Sequence, residues 1–263
     1  MMRDGLRGVR STLLGRWYGY LASMLVSSPI VCLNYGYVSL ADGDGAPALM
    51  ESQEPMRHYL QLYAYVAAVL EWTGKNALEV SCGYGGGAAF IQSHMGPQSY
   101  VGIDLTEVPL RIARQRFGAS RLSFVTARAD VLGLASETFD IVISVEASHC
   151  FPSMPRFLDE VSRVLRPGGK LVLADYRPVQ AMSALRSQIN RSGLDLLESS
   201  DITANVLQSL NETDGQRRQW ISDYGPFWLR PFMGQLAGVR GSIVYRGFHS
   251  GRLTYQRLLI GKA

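Results

Sequence analysis

The sequence predicts a single α/β domain built on a mostly parallel sheet with helices on both faces. Three observations predict it. Strand-like and helix-like runs alternate from residue 77 to residue 176. Most of the strand-like runs are short and rich in Val, Ile and Leu, the pattern of strands buried on both faces. A glycine-rich turn follows the first strand and opens a helix, as the first βα turn of a doubly wound sheet does. The chain has 263 residues, 47% of them hydrophobic, which suits one large core and falls short of two full domains.

Residues 1–74 are expected to form a helical cap or lid, and residues 75–263 the core. The run Trp17–Leu33 is largely apolar and follows Arg3, Arg7, Arg10 and Arg16, which mimics a targeting segment. Ser23, Ser27, Ser28 and Pro29 interrupt it, and it is shorter than the roughly 20 apolar residues a spanning helix needs. A helix that packs on the domain, without stable membrane insertion, is expected there. Residues 41–47 read as a loop. Glu54–Thr73 reads as a helix with Leu60, Tyr63, Val66, Ala67 and Leu70 on one face.

The core then runs in order. Strands are expected at 77–81, 100–104, 122–126, 139–147 and 170–176, with helices at 85–94, 107–117 and 155–165. Residues 178–238 are expected to be a helical insertion on the substrate side. The runs SIVYRGF (242–248) and LTYQRLLIG (253–261), joined by residues 249–252, are expected to form an antiparallel hairpin at the sheet edge.

Net charge is +4, but no basic stripe with interleaved aromatics is visible, so nucleic acid is not expected as a partner. Cys32, Cys82 and Cys150 are odd in number and widely spaced, which predicts reduced thiols and a cytoplasmic protein. No His, Cys, Asp or Glu cluster has metal-ligand spacing, so metal-independent chemistry is expected. The sequence leaves homo-oligomerisation open.

The sharpest local signal is Glu79-Val80-Ser81-Cys82-Gly83-Tyr84-Gly85-Gly86-Gly87. Glycines here let the backbone turn tightly and approach a ligand. The helix that follows offers free N–H groups to an anion. Asp104 ends the next strand, where a carboxylate can accept both hydroxyls of a ribose. Gly83, Gly85 and Ala88 also satisfy a dinucleotide pattern with Asp104 as its acid, so the loop alone does not select the ligand.

The runs LEVSCGYGGG, VEASHCFP, RFLDEVSRVLRPGG and ADYRP together resemble the phthiotriol/phenolphthiotriol dimycocerosates methyltransferases. The likeness covers roughly residues 30–262 and is strongest over 77–178. It implies a Rossmann-like class I methyltransferase fold with seven strands and a terminal antiparallel hairpin. Glu79 before the glycines, the long segment ahead of the first strand and the turn Arg166-Pro167-Gly168-Gly169 favour that reading over a dinucleotide. The implied cofactor is S-adenosyl-L-methionine, leaving as S-adenosyl-L-homocysteine. By the same resemblance Glu79, Ser81, Gly83 and Gly85 face the methionine end, and Asp104 and Leu105 flank ribose and adenine. One departure stands out. Where the family carries Gly-Asp-Ala after the third strand, this chain has Ala127-Arg128-Ala129. Arg128 accepts no hydrogen bond, so Asp130, the Ala129 backbone or packing must hold the adenine.

On the acceptor side, His149 follows the fourth strand at its carboxyl end, where ligands bind in open α/β sheets. It is the candidate base for a hydroxyl acceptor, against a purely structural role. Glu146 is expected near the methionine carboxylate, or to orient His149 or act as a base. Tyr35, Tyr37, Tyr176 and Trp228 are the candidate substrate-pocket aromatics. The function expected is methyl transfer from S-adenosylmethionine to an apolar small molecule of polyketide, lipid or terpenoid type, at a hydroxyl oxygen. The alternatives are C-methylation of a terpenoid or aromatic acceptor, and a cyclase-like or accessory protein that binds the cofactor without methylating.

Overall fold

A computed structural model describes residues 28–40 and 47–263. The N-terminal arginines, most of the Trp17–Leu33 run and residues 41–46 of the expected loop therefore lie outside the described residues. Seven strands form one sheet: β1 (Asn76–Val80), β2 (Ser99–Asp104), β3 (Leu122–Thr126), β4 (Phe139–Val145), β5 (Leu165–Pro178), β6 (Leu194–Asp201) and β7 (Leu253–Lys262). Their order is β3-β2-β1-β4-β5-β7-β6. The pairs among β1 to β5 are parallel, and β7 runs antiparallel to both of its neighbours, β5 and β6. The α-helices are α1 (Arg57–Ala67), α2 (Gly86–Met95), α3 (Glu107–Phe117), α4 (Met154–Val164), α5 (Met182–Arg191), α6 (Thr203–Glu212), α7 (Asp214–Tyr224), α8 (Arg230–Leu236) and α9 (Ile243–His249).

Alternation along the strands builds two cores. Ala77, Ile141, Ile143, Val172 and Ala174 belong to one apolar cluster, whereas Leu78, Val80, Val142, Leu171 and Leu173 belong to another. Successive side chains of a strand point to opposite faces, so these clusters lie on the two sides of the sheet. The first also receives α1 and residues 30–37 of the N-terminal strap. Ser153 caps α4, its Oγ accepting from the N–H of Arg156 at 3.4 Å, with Pro155 in the first turn, a combination that fits a helix start.

The seven-stranded fold is the one expected, but two elements exchange roles. The run 242–248 is not a strand: Ile243–His249 is α9, started by Ser242, whose Oγ accepts from the N–H of Tyr245 at 3.1 Å. That cap, with the seating of Gly247 against Leu253, overrides the β-preference of Ile243 and Val244. The partner of β7 is instead β6, which lies inside the stretch expected to be helical. The terminal antiparallel pairing is thus made between segments some fifty residues apart rather than across a tight turn.

Candidate active site

A cavity of about 800 Å³ opens at the carboxyl ends of β1, β2 and β4, with α7 and α8 across it. The chain bends sharply on its rim. Ser81 and Glu146, just beyond β1 and β4, hold φ of 65° and 53°; such left-handed conformations at non-glycine residues cost energy and concentrate at functional sites. Gly83, at φ 54°, lines the cavity, and a Cβ there would meet no atom within 4 Å. Gly85, at φ 78°, is different. A Cβ there would sit 2.7–2.8 Å from Phe124 and Ala113, so Gly85 closes the packing behind the loop and does not line the cavity. Asp104 ties the loop to β2: Oδ2 accepts from the N–H of Gly83 at 3.1 Å, and Oδ1 from the N–H and hydroxyl of Thr106 at 2.9 and 2.8 Å. Oδ1 thus already accepts two hydrogen bonds, and Oδ2 keeps a lone pair for a further donor.

Glu79, expected at the methionine end, does not line the cavity. It sits on the face of β1 shared with Ala77, fully buried, and accepts from the phenols of Tyr63 and Tyr100 at 2.8 and 3.0 Å. Burial pushes its carboxyl up to about 7, against those two hydrogen bonds. Leu105, Ala129 and Asp130 do line the cavity. Arg128 donates to both oxygens of Asp130 at 3.0 Å, a bidentate pair that neutralises the carboxylate.

His149 lies in the turn after β4. Its Nδ1 is 2.8 Å from Oδ1 of Asp175, and its Nε2 is 3.2 Å from the Tyr176 hydroxyl. Asp175, buried in β5, also accepts from the Ser148 hydroxyl at 2.5 Å and the His149 N–H at 2.7 Å. These donors hold Asp175 below the usual carboxylate range despite its burial. Burial alone would lower the imidazole's pKa; the hydrogen bond and charge of Asp175, with Cys150, outweigh it and push His149 up to about 10. Glu146 does not touch the ring. Its Oε2 accepts from the N–H of Tyr35 at 2.9 Å and the Tyr255 hydroxyl at 3.1 Å, and burial pushes its carboxyl up to about 8.

Tyr35 is the pin of the strap. Besides its N–H on Glu146, its carbonyl accepts from Arg217 at 2.7 Å and Ser209 at 2.8 Å, and its hydroxyl donates to the carbonyl of Leu236 at 3.1 Å. Its ring lies 5.6 Å from that of Tyr176. Both tyrosines line the cavity, as expected. Tyr37 does not: it stacks on Tyr65 at 4.4 Å in the core. Trp228 is exposed outside the cavity, because the turn into α8 points Leu229, not Trp228, inward. Trp220, Ile221 and Met233 complete the apolar wall. Sequence reading missed Asp175, Arg217, Tyr59 and Tyr255. Asp175 was findable, since it stands in the quoted run ADYRP; the others are brought in by tertiary packing.

A sheet in the order 3-2-1-4-5-7-6, with a ligand-sized cavity over its parallel strand ends, defines an S-adenosylmethionine-dependent class I methyltransferase. Residues 78–173 match the family model described as "Methyltransferase domain". The chain is 36% identical to the phthiotriol/phenolphthiotriol dimycocerosates methyltransferase of Mycobacterium leprae, over 94% of this chain and 90% of the relative. It is 34% identical to a fatty-acid O-methyltransferase of Mycolicibacterium smegmatis, over 80% of each. In fold it resembles a cyclopropane synthase from Mycobacterium tuberculosis, with TM-score 0.70, 13% identity, and 92% and 93% of the two chains covered. The chain belongs to the phthiotriol/phenolphthiotriol dimycocerosates methyltransferase family.

Proposed function

We propose that this enzyme methylates a hydroxyl oxygen of a long, apolar, lipid-like acceptor, with His149 as the general base. The observation that carries the reading is the His149–Asp175 pair, with His149 on the cavity wall. A carboxylate on Nδ1 fixes the tautomer and leaves Nε2 to take a proton. The names of the two relatives support the acceptor class, since one names dimycocerosates and the other a fatty acid methylated at oxygen.

The residues present fit the cofactor. Gly83 leaves room for it where a side chain would intrude, and Oδ2 of Asp104 keeps a lone pair for a ribose hydroxyl. Leu105 and Ala129 offer apolar walls to an adenine, with Asp130 beside them. When bound, S-adenosylmethionine supplies an electrophilic methyl group on a sulfonium. The protein's own part is positioning, exclusion of water and proton removal. Tyr35, Tyr176 and Trp220 hold the acceptor chain, and the strap pinned by Tyr35 covers it. In this reading the described part of residues 1–74 serves as the cap, and the helices of 178–238 form the acceptor-side wall.

The test is the pH dependence of turnover. Protonated His149 cannot accept, so the wild-type rate should rise with pH toward about 10, the value to which its surroundings push the imidazole. His149→Ala should cut turnover by roughly a hundredfold or more and erase that limb, with S-adenosylhomocysteine affinity unchanged. Asp175→Asn should shift the limb to lower pH. Near-native turnover of His149→Ala would overturn the base assignment, and product NMR showing a new C–methyl bond would overturn O-methylation.

A further inference from the structure

The segment from Pro226 through α8 carries two adjacent rows of apolar residues, about 100° apart around the helix. Helical hydrogen bonding begins before α8 itself, with the N–H of Arg230 donating to the carbonyl of Pro226 at 3.2 Å and that of Met233 to Leu229 at 2.9 Å. Residues four apart therefore share a face. Leu229, Met233 and Ala237 form the inner row: Leu229 is buried, and the other two line the cavity. Trp228, Phe232 and Leu236 form the outer row, and they are 57%, 42% and 42% exposed, with Phe227 beside them at 79%. A surface helix ordinarily turns a polar face to water. A contiguous apolar patch of this kind marks a docking site. Leu236 belongs to both rows, exposed yet cavity-lining, so the patch borders the cavity's rim.

The charge around it selects the occupant. Residues 224–263 contain five arginines, one lysine and no acidic residue, whereas the rest of the chain carries more Asp and Glu than Lys and Arg. Arg230, Arg240 and Arg246 are exposed. Among the described residues their guanidinium groups donate to backbone carbonyls, of Gly225 and Ser222, of Asn211 and of Gly241 respectively. None of the three forms an ion pair with a described carboxylate within 4.0 Å, unlike Arg218, which pairs with Asp214 at 2.9 Å. Exposed Trp and Phe in a stretch that carries exposed arginines and no acidic residue suit the boundary between anionic headgroups and acyl chains.

We propose that the outer face of α8 docks on an anionic phospholipid surface, setting the rim of the cavity against the membrane. The docking is peripheral: no helix among the described residues is long and apolar enough to cross a membrane. It depends on surface chemistry alone and holds whichever atom of the acceptor is methylated.

The test is flotation of the full chain with vesicles of phosphatidylglycerol and phosphatidylcholine, compared with vesicles of phosphatidylcholine alone. Binding should favour the anionic vesicles and fall away at about 0.5 M salt. Trp228→Ser combined with Phe232→Ser should weaken it at least roughly tenfold, with thermal unfolding and S-adenosylhomocysteine binding retained. If that double variant fails to fold, Arg230→Glu with Arg246→Glu replaces it and should abolish the preference for anionic vesicles. Absence of vesicle binding by the wild type, or binding indifferent to both variants, overturns the proposal. So does a wild-type dimer that the double variant converts to monomer without any vesicle binding, since the face would then belong to a second copy of the chain.

Discussion

Among the carboxylates at or beside the cavity, neighbours separate the roles of Glu79, Glu146, Asp175 and Asp104. Glu79 is enclosed by two phenols, Glu146 accepts from a backbone N–H and a phenol, and Asp175 accepts from donors that include an imidazole. Asp104 combines a place on the cavity wall with an oxygen, Oδ2, that the loop leaves half engaged. Replacing it should therefore act on cofactor binding. One charge-assisted hydrogen bond, worth roughly 1.5–3 kcal/mol, predicts at least a tenfold loss of S-adenosylhomocysteine affinity in Asp104→Ala by calorimetry. Unchanged affinity would remove Asp104 from the site. Its position was legible because strand end and glycine loop are sequence features. Glu79's surroundings were not legible, because which face of β1 it occupies depends on the packing of Tyr63 from α1 and Tyr100 from β2. The displacement of Tyr37 and Trp228 from the pocket has the same origin: an aromatic's direction is set by the neighbours it stacks on or turns away from.

At the level of elements, the parallel strands were readable because burial on both faces writes an uninterrupted apolar run. β6 was not, because it is an edge strand reading Leu-Asp-Leu-Leu-Glu-Ser-Ser-Asp, half open to water and with a register shift against β7. Its sequence is that of an irregular surface segment until β7 pairs with it. The glycine loop offers a test of how far one motif divides its labour. Gly83 and Gly85 both sit at positive φ, but only Gly85 has neighbours in the way of a Cβ. Gly85→Ala should cost about 1–3 kcal/mol of stability through overpacking against Phe124 and Ala113, visible in thermal unfolding without ligand. Gly83→Ala, with space around it, should pay only the smaller backbone strain and lose cofactor affinity instead. The reverse pattern, a stable Gly85→Ala that binds poorly and an unstable Gly83→Ala that binds well, would mean that the loop is seated the other way round.

Across the whole molecule, the site's buried titratable groups tie stability to pH in one direction. Glu79 and Glu146 are pushed from 4.5 up to about 7 and about 8 by burial, and His149 from 6.5 up to about 10 by Asp175 and Cys150 acting against its own burial. For each, the folded protein holds a proton that the unfolded chain releases more readily. Where the folded state binds more protons, stability falls as pH rises. The glutamates' contribution is complete below pH 4.5 and drains away between there and about 7 to 8; that of His149 is complete below 6.5 and drains away up to about 10. For Glu79 the gap between 4.5 and about 7 corresponds to roughly 3 kcal/mol. Asp175, lowered, acts in the opposite sense only in acid. Thermal unfolding measured from pH 5.5 to 9 should thus show a steadily falling midpoint. Glu79→Gln keeps an acceptor for one tyrosine and donates to the other, but it cannot ionise. Its midpoint should fall less steeply between pH 5.5 and 8, so that the variant gains on the wild type as pH rises. A wild-type midpoint that climbs over this range, or a variant that loses ground at pH 8, would show that Glu79 is already ionised in the folded core and that β1 carries its charge toward the cofactor loop.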